Sequence, residues 1–199
     1  RVYILSYKKT HQFVPGQVVG ISLSDKEDPR LYSIASGSGE DEIRILFNVV
    51  PEGSLTKKLF RLQEGDHIYV SEPFGTFYGK SGPAYWIAAG TGIAPFLSMY
   101  HSGLGKNKKL IHGGRTLDSF YFEKDLKEFF GENYVRCCSR EKGKDVYEGR
   151  LTKYLSELDE LPSDHDYYLC GSSEMVSETR DILIEKGVPF NNIIAEIYF

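Results

Sequence analysis

The chain changes rhythm near residue 82, and that change limits the folds open to it. Beyond this point, short apolar runs alternate with amphipathic segments. "AYWIAA" (84–89) is continuously apolar, as in a strand covered on both faces. "KKLIHGG", "YVRCCS", "DYYLCG" and "NNIIAEIYF" repeat the strand signal. Between them, "APFLSMYHSG", "LDSFYFEKDLKEFF", "GRLTKYLSEL" and "SEMVSETRDILIEKG" read as helices. Such alternation predicts a parallel α/β sheet over residues 83–199. Residues 1–82 read differently. "RVYILSY", "QVVGISL", "RLYSIAS", "EIRILFNVV" and "DHIYVSE" are short, β-branched and aromatic, with turn signals at Pro15-Gly16, Ser38-Gly39 and Gly65-Asp66. One helix interrupts them, "SLTKKLFRL", with Leu55, Leu59 and Leu62 on one stripe. This pattern predicts a small antiparallel barrel.

Two domains fit 199 residues, of which 41% are hydrophobic and 26% charged. The net charge of −4 argues against nucleic acid as a partner. No run of 18 apolar residues exists, so no membrane insertion is expected. Cys137, Cys138 and Cys170 are an odd set with an adjacent pair, not a disulfide framework, and a reducing, cytoplasmic setting is expected. The five histidines are scattered and neither HxxxH nor CxxC occurs, so no metal site is expected.

The chemistry-bearing stretches follow the two periods. "IAAGTGIAPF" closes a buried strand with Gly90, Thr91 and Gly92 and opens a helix at Pro95. Glycines there let backbone amides approach a pyrophosphate, although many strand-to-helix turns carry glycines for other reasons. An acidic residue about 20 positions on would suit the ribose of NAD. This chain has Arg115 instead, and an arginine suits the 2′-phosphate of NADP. After the next strand come Arg140, beside Ser139, and Arg150, which starts the following helix. Singly, each reads as a solvated surface arginine; three on one sheet edge point to an anion. In the barrel half, "RLYS" places Arg30 and Tyr32 on one side and Leu31 and Ser33 on the other, and Gly53-Ser54-Leu55-Thr56 starts a helix. Arginine with tyrosine can pair a phosphate and stack a ring, and a helix start favours an anion. An exposed cation–π pair and a plain N-cap account for the same residues.

Taken in order, these stretches resemble the ferredoxin–NADP⁺ reductase family. "RLYSIAS" is similar to its RxYSxxS flavin motif, "GSLT" to its GxxS pyrophosphate turn and "EPFGTF" to its PxGxF loop. "GTGIAPF" resembles its nicotinamide turn, "LCGSSEM" its CGxPxM motif and "EIYF" its aromatic carboxy-terminus. The Arg140–Arg150 pair looks most like the bacterial flavodoxin/ferredoxin–NADP⁺ reductases. Three departures stand out. Arg1 falls near the family's second barrel strand, so an FAD domain without its first strand is expected; Ser173 replaces a proline; and Phe199 ends the chain.

The resemblance implies a Greek-key FAD barrel over 1–82 and an NADP-binding α/β domain over 83–199. Arg30 and Leu31 would border the FAD pyrophosphate, Tyr32 would stack on one flavin face, and Ser33 would sit near the hydride-accepting nitrogen. Gly53, Ser54, Leu55 and Thr56 would hold FAD phosphates. Gly90, Thr91, Gly92 and Gly171 would border the nicotinamide, with Cys170 and Glu196 near its reacting carbon. Arg115, Ser139, Arg140 and Arg150 would hold the 2′-phosphate. Tyr198 would cover the second flavin face and act as a gate, with Phe199 beside it. The implied reaction passes electrons from NADPH through FAD to ferredoxin or flavodoxin, in a monomer. Lys57 and Lys58, with Lys106, Lys108 and Lys109, offer a basic docking patch for an acidic carrier. Two alternatives stay open: an NADH-linked oxygenase-reductase component, and a flavin-binding module without turnover.

Overall fold

In a computed structural model the described residues are 1–198, and Phe199 lies outside them. The chain divides into two compact units, Arg1–Gly79 with Ala94–Leu104, and Lys80–Ile93 with Gly105 onward.

The first unit is built from β1 (Val2–Lys8), β2 (Val18–Ser22), β3 (Arg30–Ser33), β4 (Glu42–Asn48) and β5 (Tyr69–Val70), with the short helix α1 (Leu55–Leu59). β1 pairs antiparallel with β4, Val2 opposite Asn48 and Lys8 opposite Glu42. β2 lies between β3 and β5, antiparallel to both. A bridge between Ile34 and Ile45 joins the two sheets. Alternation then drives one side inward: Ile43, Ile45 and Phe47 meet Val19, Ile21 and Ile34 in one core, closed by Phe13 and Leu59. The leucine stripe of α1 seats that helix, Leu59 fully inside and Leu55 and Leu62 at the margin. Ala94–Leu104, which includes α2 (Ala94–His101), groups with this unit although it follows the first α/β strand in sequence. Glycines permit the close packing: a Cβ on Gly79 would lie 2.9 Å from the Met99 side chain, and one on Gly37 2.8 Å from the His101 carbonyl oxygen.

The second unit is a six-stranded sheet in the order β11-β10-β6-β7-β8-β9, parallel throughout. Its strands are β6 (Ala84–Ala89), β7 (Lys108–Gly114), β8 (Tyr134–Cys138), β9 (Tyr147–Glu148), β10 (Asp166–Ser172) and β11 (Ile193–Tyr198). Helices α3 (Glu123–Phe130), α4 (Leu151–Glu157) and α5 (Ser173–Glu185) flank them. One face buries Ile87, Ile111, Cys137 and Leu169 beneath Leu151 and Leu155 of α4 and Met175, Val176 and Leu183 of α5. On the other, Trp86 packs edge-on against Phe130 of α3. Among the described residues no helix is long and apolar enough to cross a membrane.

Three expectations are corrected. The helix read over 117–130 is two pieces, a 3-10 turn at Leu117–Ser119 closed by a Thr116–Ser119 capping box, then α3. Phe122 breaks them apart in the left-handed region at φ 61°. β9 carries no periodic signal in the sequence, being a two-residue edge strand. The lysine set loses one member, since Lys57, Lys58 and Lys106 are exposed but Lys108 is not. Lys108 is 3% exposed, its ammonium bound to the carbonyls of Gly82 and Lys106 over the Trp86 ring. Lys109 lies over Tyr85, and Lys58 pairs with Glu27 at 2.9 Å.

Candidate functional site

In the first unit, β3 carries Arg30, Leu31, Tyr32 and Ser33. Arg30 is exposed, Leu31 is 60% exposed, and Ser33 is buried. Tyr32 packs against the barrel core, and burial raises its phenol pKa against the opposing pull of the Arg30 charge. Two positions apart on one strand, guanidinium and phenol leave the same face. An exposed guanidinium beside a half-buried ring is a fit for a ligand carrying both phosphate and a flat heterocycle. The 53–56 turn opens α1 without a side-chain cap on Ser54. Helix starts leave amides without intrahelical partners. The Thr56 hydroxyl accepts from the Val50 amide at 3.0 Å and keeps its own proton to donate. A Cβ on Gly53 would crowd Val50 at 3.1 Å and the Thr56 hydroxyl at 3.3 Å, so glycine keeps this turn narrow.

In the second unit, β6 ends in a 3-10 turn, Gly90–Ile93. Gly90 takes φ 56°, open to glycine at little cost. Gly92 meets a different demand, since a Cβ there would sit 2.3 Å from the carbonyl oxygen of Cys170. Thr91 stands half-buried between them. β10 and β11 align Cys170 with Glu196 and Ser172 with Tyr198. Cys170 is fully buried. Desolvation, and then the Glu196 carboxylate, hold its thiol well above the ordinary value, with a Tyr198 side-chain hydrogen bond acting the other way. A protonated, buried thiol is a poor nucleophile and suits a packing role. A side chain at Gly171 would meet Met175 at 2.4 Å, which keeps the strand end flat beside the turn.

The arginines gather at the ends of three adjacent strands. Arg115 follows β7, Arg140 follows β8, and Arg150 follows β9 as the residue capping α4. The Arg140 amide donates to the Arg115 carbonyl at 3.0 Å, and the Ser139 amide to Gly114 at 3.0 Å. All three arginines are exposed. Arg150 is held by Glu174 at 3.1 Å and Glu178 at 2.9 Å on α5, so an anion there would compete with two carboxylates.

Sequence reasoning missed a polar cluster under the same edge. His112 on β7 is fully buried, bonded through Nδ1 to the Tyr134 hydroxyl at 3.1 Å and edge-on to Phe120. Burial pushes its imidazole from 6.5 down to about 4, with the Gly90 backbone opposing. Its cross-strand neighbour is Arg136. Arg136 is the lone charge in an apolar strand and His112 follows Leu110 and Ile111, which is the signal that could have found them.

Residues 86–181 match the family model of an oxidoreductase NAD-binding domain and residues 1–78 that of an oxidoreductase FAD-binding domain. Fold and matched domains define a chain that joins an oxidoreductase FAD-binding domain to an oxidoreductase NAD-binding domain. A ferredoxin–NADP reductase of Azotobacter vinelandii is 30% identical over 97% of this chain and 88% of its own length. The reductase component of a propane 2-monooxygenase from Mycolicibacterium goodii is 28% identical over 94% of this chain and 59% of its own length. A ferredoxin NADP+ reductase from Neisseria gonorrhoeae, solved with FAD and NADP, superposes at a TM-score of 0.88 with 20% identity, covering 100% of this chain and 92% of that one. The chain belongs to the ferredoxin–NADP reductase family. It spans about three fifths of the length of several curated relatives it matches, oxygenase electron-transfer components among them.

Proposed function

We propose that this protein takes a hydride from NADPH and passes electrons singly to a ferredoxin or flavodoxin. The observation that carries the reading is the row of Arg115, Arg140 and Arg150 at consecutive strand ends. Three guanidinium groups on one edge suit a dianionic 2′-phosphate, and the strand that would end in a carboxylate for a ribose hydroxyl is followed by Arg115. Bound flavin supplies the hydride acceptance and the two-to-one electron split. The protein's own share is alignment. Arg30 and the amides of the 53–56 turn would hold the pyrophosphate, Tyr32 would support one ring face, and Ser33 would offer a hydroxyl to the flavin. Cys170 fills the space beside the Gly90–Ile93 turn without reacting, and Glu196 holds or moves a proton next to it. Tyr198 would serve as a movable cover for the bound ring; Phe199 lies outside the described residues. Three free, buried cysteines suit a reducing, cytoplasmic setting.

A second reading, a reductase component of an oxygenase, draws support from the 28% and 27% identical relatives of that kind. The two are separated by titrating the FAD-loaded protein with NADPH and with NADH, then adding carriers one at a time. NADPH is expected to bleach the flavin spectrum at lower concentration. Replacing Arg115 and Arg140 together by alanine is expected to lower kcat/KM for NADPH by about 10- to 100-fold, the worth of one charged hydrogen bond or two, and to leave NADH unaffected. An unchanged ratio would leave the oxygenase-type reading standing.

A further inference from the structure

Arg136 is the least expected charge in the second unit. It lies on β8 with 4% of its surface exposed. Burying a guanidinium is costly unless it is paired, and apolar residues often serve as well or better where only stability is at stake. The partners show what this one holds. One terminal nitrogen binds Glu123, the first residue of α3. The other donates to two successive carbonyls, Lys144 at 3.2 Å and Asp145 at 2.9 Å. The Phe120 ring lies 5.7 Å away.

Those carbonyls belong to the irregular segment 139–146 that joins β8 to β9. Arg140 stands near one end of it, and Arg150 just past β9 at the other. Asp145 sits at φ 56°, a conformation that costs a non-glycine residue about 1 kcal/mol and persists where surroundings enforce it. Other contacts seat the segment's near end: the Leu117 amide donates to the Glu141 carboxylate at 2.7 Å, and Gly143 packs on Leu117. Arg136 holds the far end from beneath.

We propose that Arg136 is a positioning residue for nucleotide selection, pinning Lys144 and Asp145 so that Arg140 and Arg150 are held together at the strand edge. The proposal rests on the reading that those arginines receive a 2′-phosphate. The FAD-loaded full chain tests it, with 2′-phospho-AMP binding and NADPH and NADH kinetics as readouts. Arg136→Met keeps length and removes the donors. It is expected to weaken 2′-phospho-AMP and raise KM for NADPH by about tenfold, in the range of indirect couplings, with kcat and all NADH constants within about twofold. Arg136→Lys keeps the charge but cannot hold Glu123 and both carbonyls at once, and about a threefold loss of NADPH selectivity is expected. It also carries the test if the methionine variant does not fold. Equal losses for NADPH and NADH, or a lowered melting temperature with selectivity intact, would overturn the proposal. The arginine reading is tested apart, by Arg140→Ala with Arg150→Ala. If that pair lowers NADPH selectivity while both Arg136 variants leave it unchanged, the reading survives and the proposal fails. If that pair changes nothing, the reading itself is wrong and the proposal falls with it.

Discussion

Alanine at Gly92 is expected to destabilise the α/β unit by about 3 kcal/mol or more and to abolish turnover with NADPH, because the side chain has nowhere to go. A Cβ at this position would lie 2.3 Å from the Cys170 carbonyl oxygen, 2.7 Å from its carbon and 3.0 Å from the Gly171 nitrogen. All three are backbone atoms of β10, a strand paired on both sides, with β6 and with β11. A flexible side chain could swing aside, but a strand locked in an interior ladder cannot. Relief must come from the Gly90–Ile93 turn, which would lift away from Cys170 and carry Thr91 with it. Hydride transfer tolerates displacements well below 1 Å, so even a folded variant should lose most of its rate. In thermal unfolding the expected drop is roughly 6–12 °C, against a negligible one for Gly82→Ala, where a Cβ meets nothing within 4 Å. A Gly92→Ala protein that melts normally and turns over normally would show the turn to be far softer than this packing implies.

The same glycine shows how far the sequence could be read. "GTG" after a buried strand was legible as a tight turn, and Gly90 at φ 56° is such a turn. Gly92, however, answers to the neighbouring strand, and a glycine required by long-range packing looks the same in sequence as one required by a ligand. The alternation of strands and helices was visible from "AYWIAA" onward because a doubly covered strand must be apolar throughout. Arg115 and Arg140 could be placed at strand ends for the same reason, each following an apolar run, whereas Arg150 was legible only as the start of a helix. Harder to foresee was anything decided by tertiary pairing. Lys108 reads as a solvated lysine beside Lys109, yet its ammonium is drawn inward by the carbonyl of Gly82. Phe122 sits in a helical pattern and breaks it at φ 61°. His112 and Arg136 interrupt apolar strands, but only cross-strand register makes them neighbours.

His112 carries the second large effect, and its sign follows from where the proton is. The imidazole is fully buried and depressed from 6.5 to about 4, so between those values the unfolded chain binds a proton that the folded one refuses. Stability from this group is therefore complete above about pH 6.5 and is lost as pH falls towards 4. The whole window is worth about 3 kcal/mol at 1.36 kcal/mol per unit, with about 2 kcal/mol gone by pH 5. Glu123 adds a separate loss at lower pH. Burial pushes its carboxyl up, but the hydrogen bonds and charges of Lys127 and Arg136 outweigh that and hold it below 4.5. Its contribution is thus present above 4.5 and disappears beneath it. Denaturant unfolding at pH 7, 6 and 5 separates the two. Wild type and Glu123→Gln should lose stability alike across this range. His112→Asn, which can still pair with the Tyr134 hydroxyl, and His112→Phe, which keeps a ring against Phe120, should both start lower at pH 7 and then fall less. A wild-type slope in either variant would mean that the buried imidazole does not govern acid sensitivity, and that the proton is taken up elsewhere in the fold.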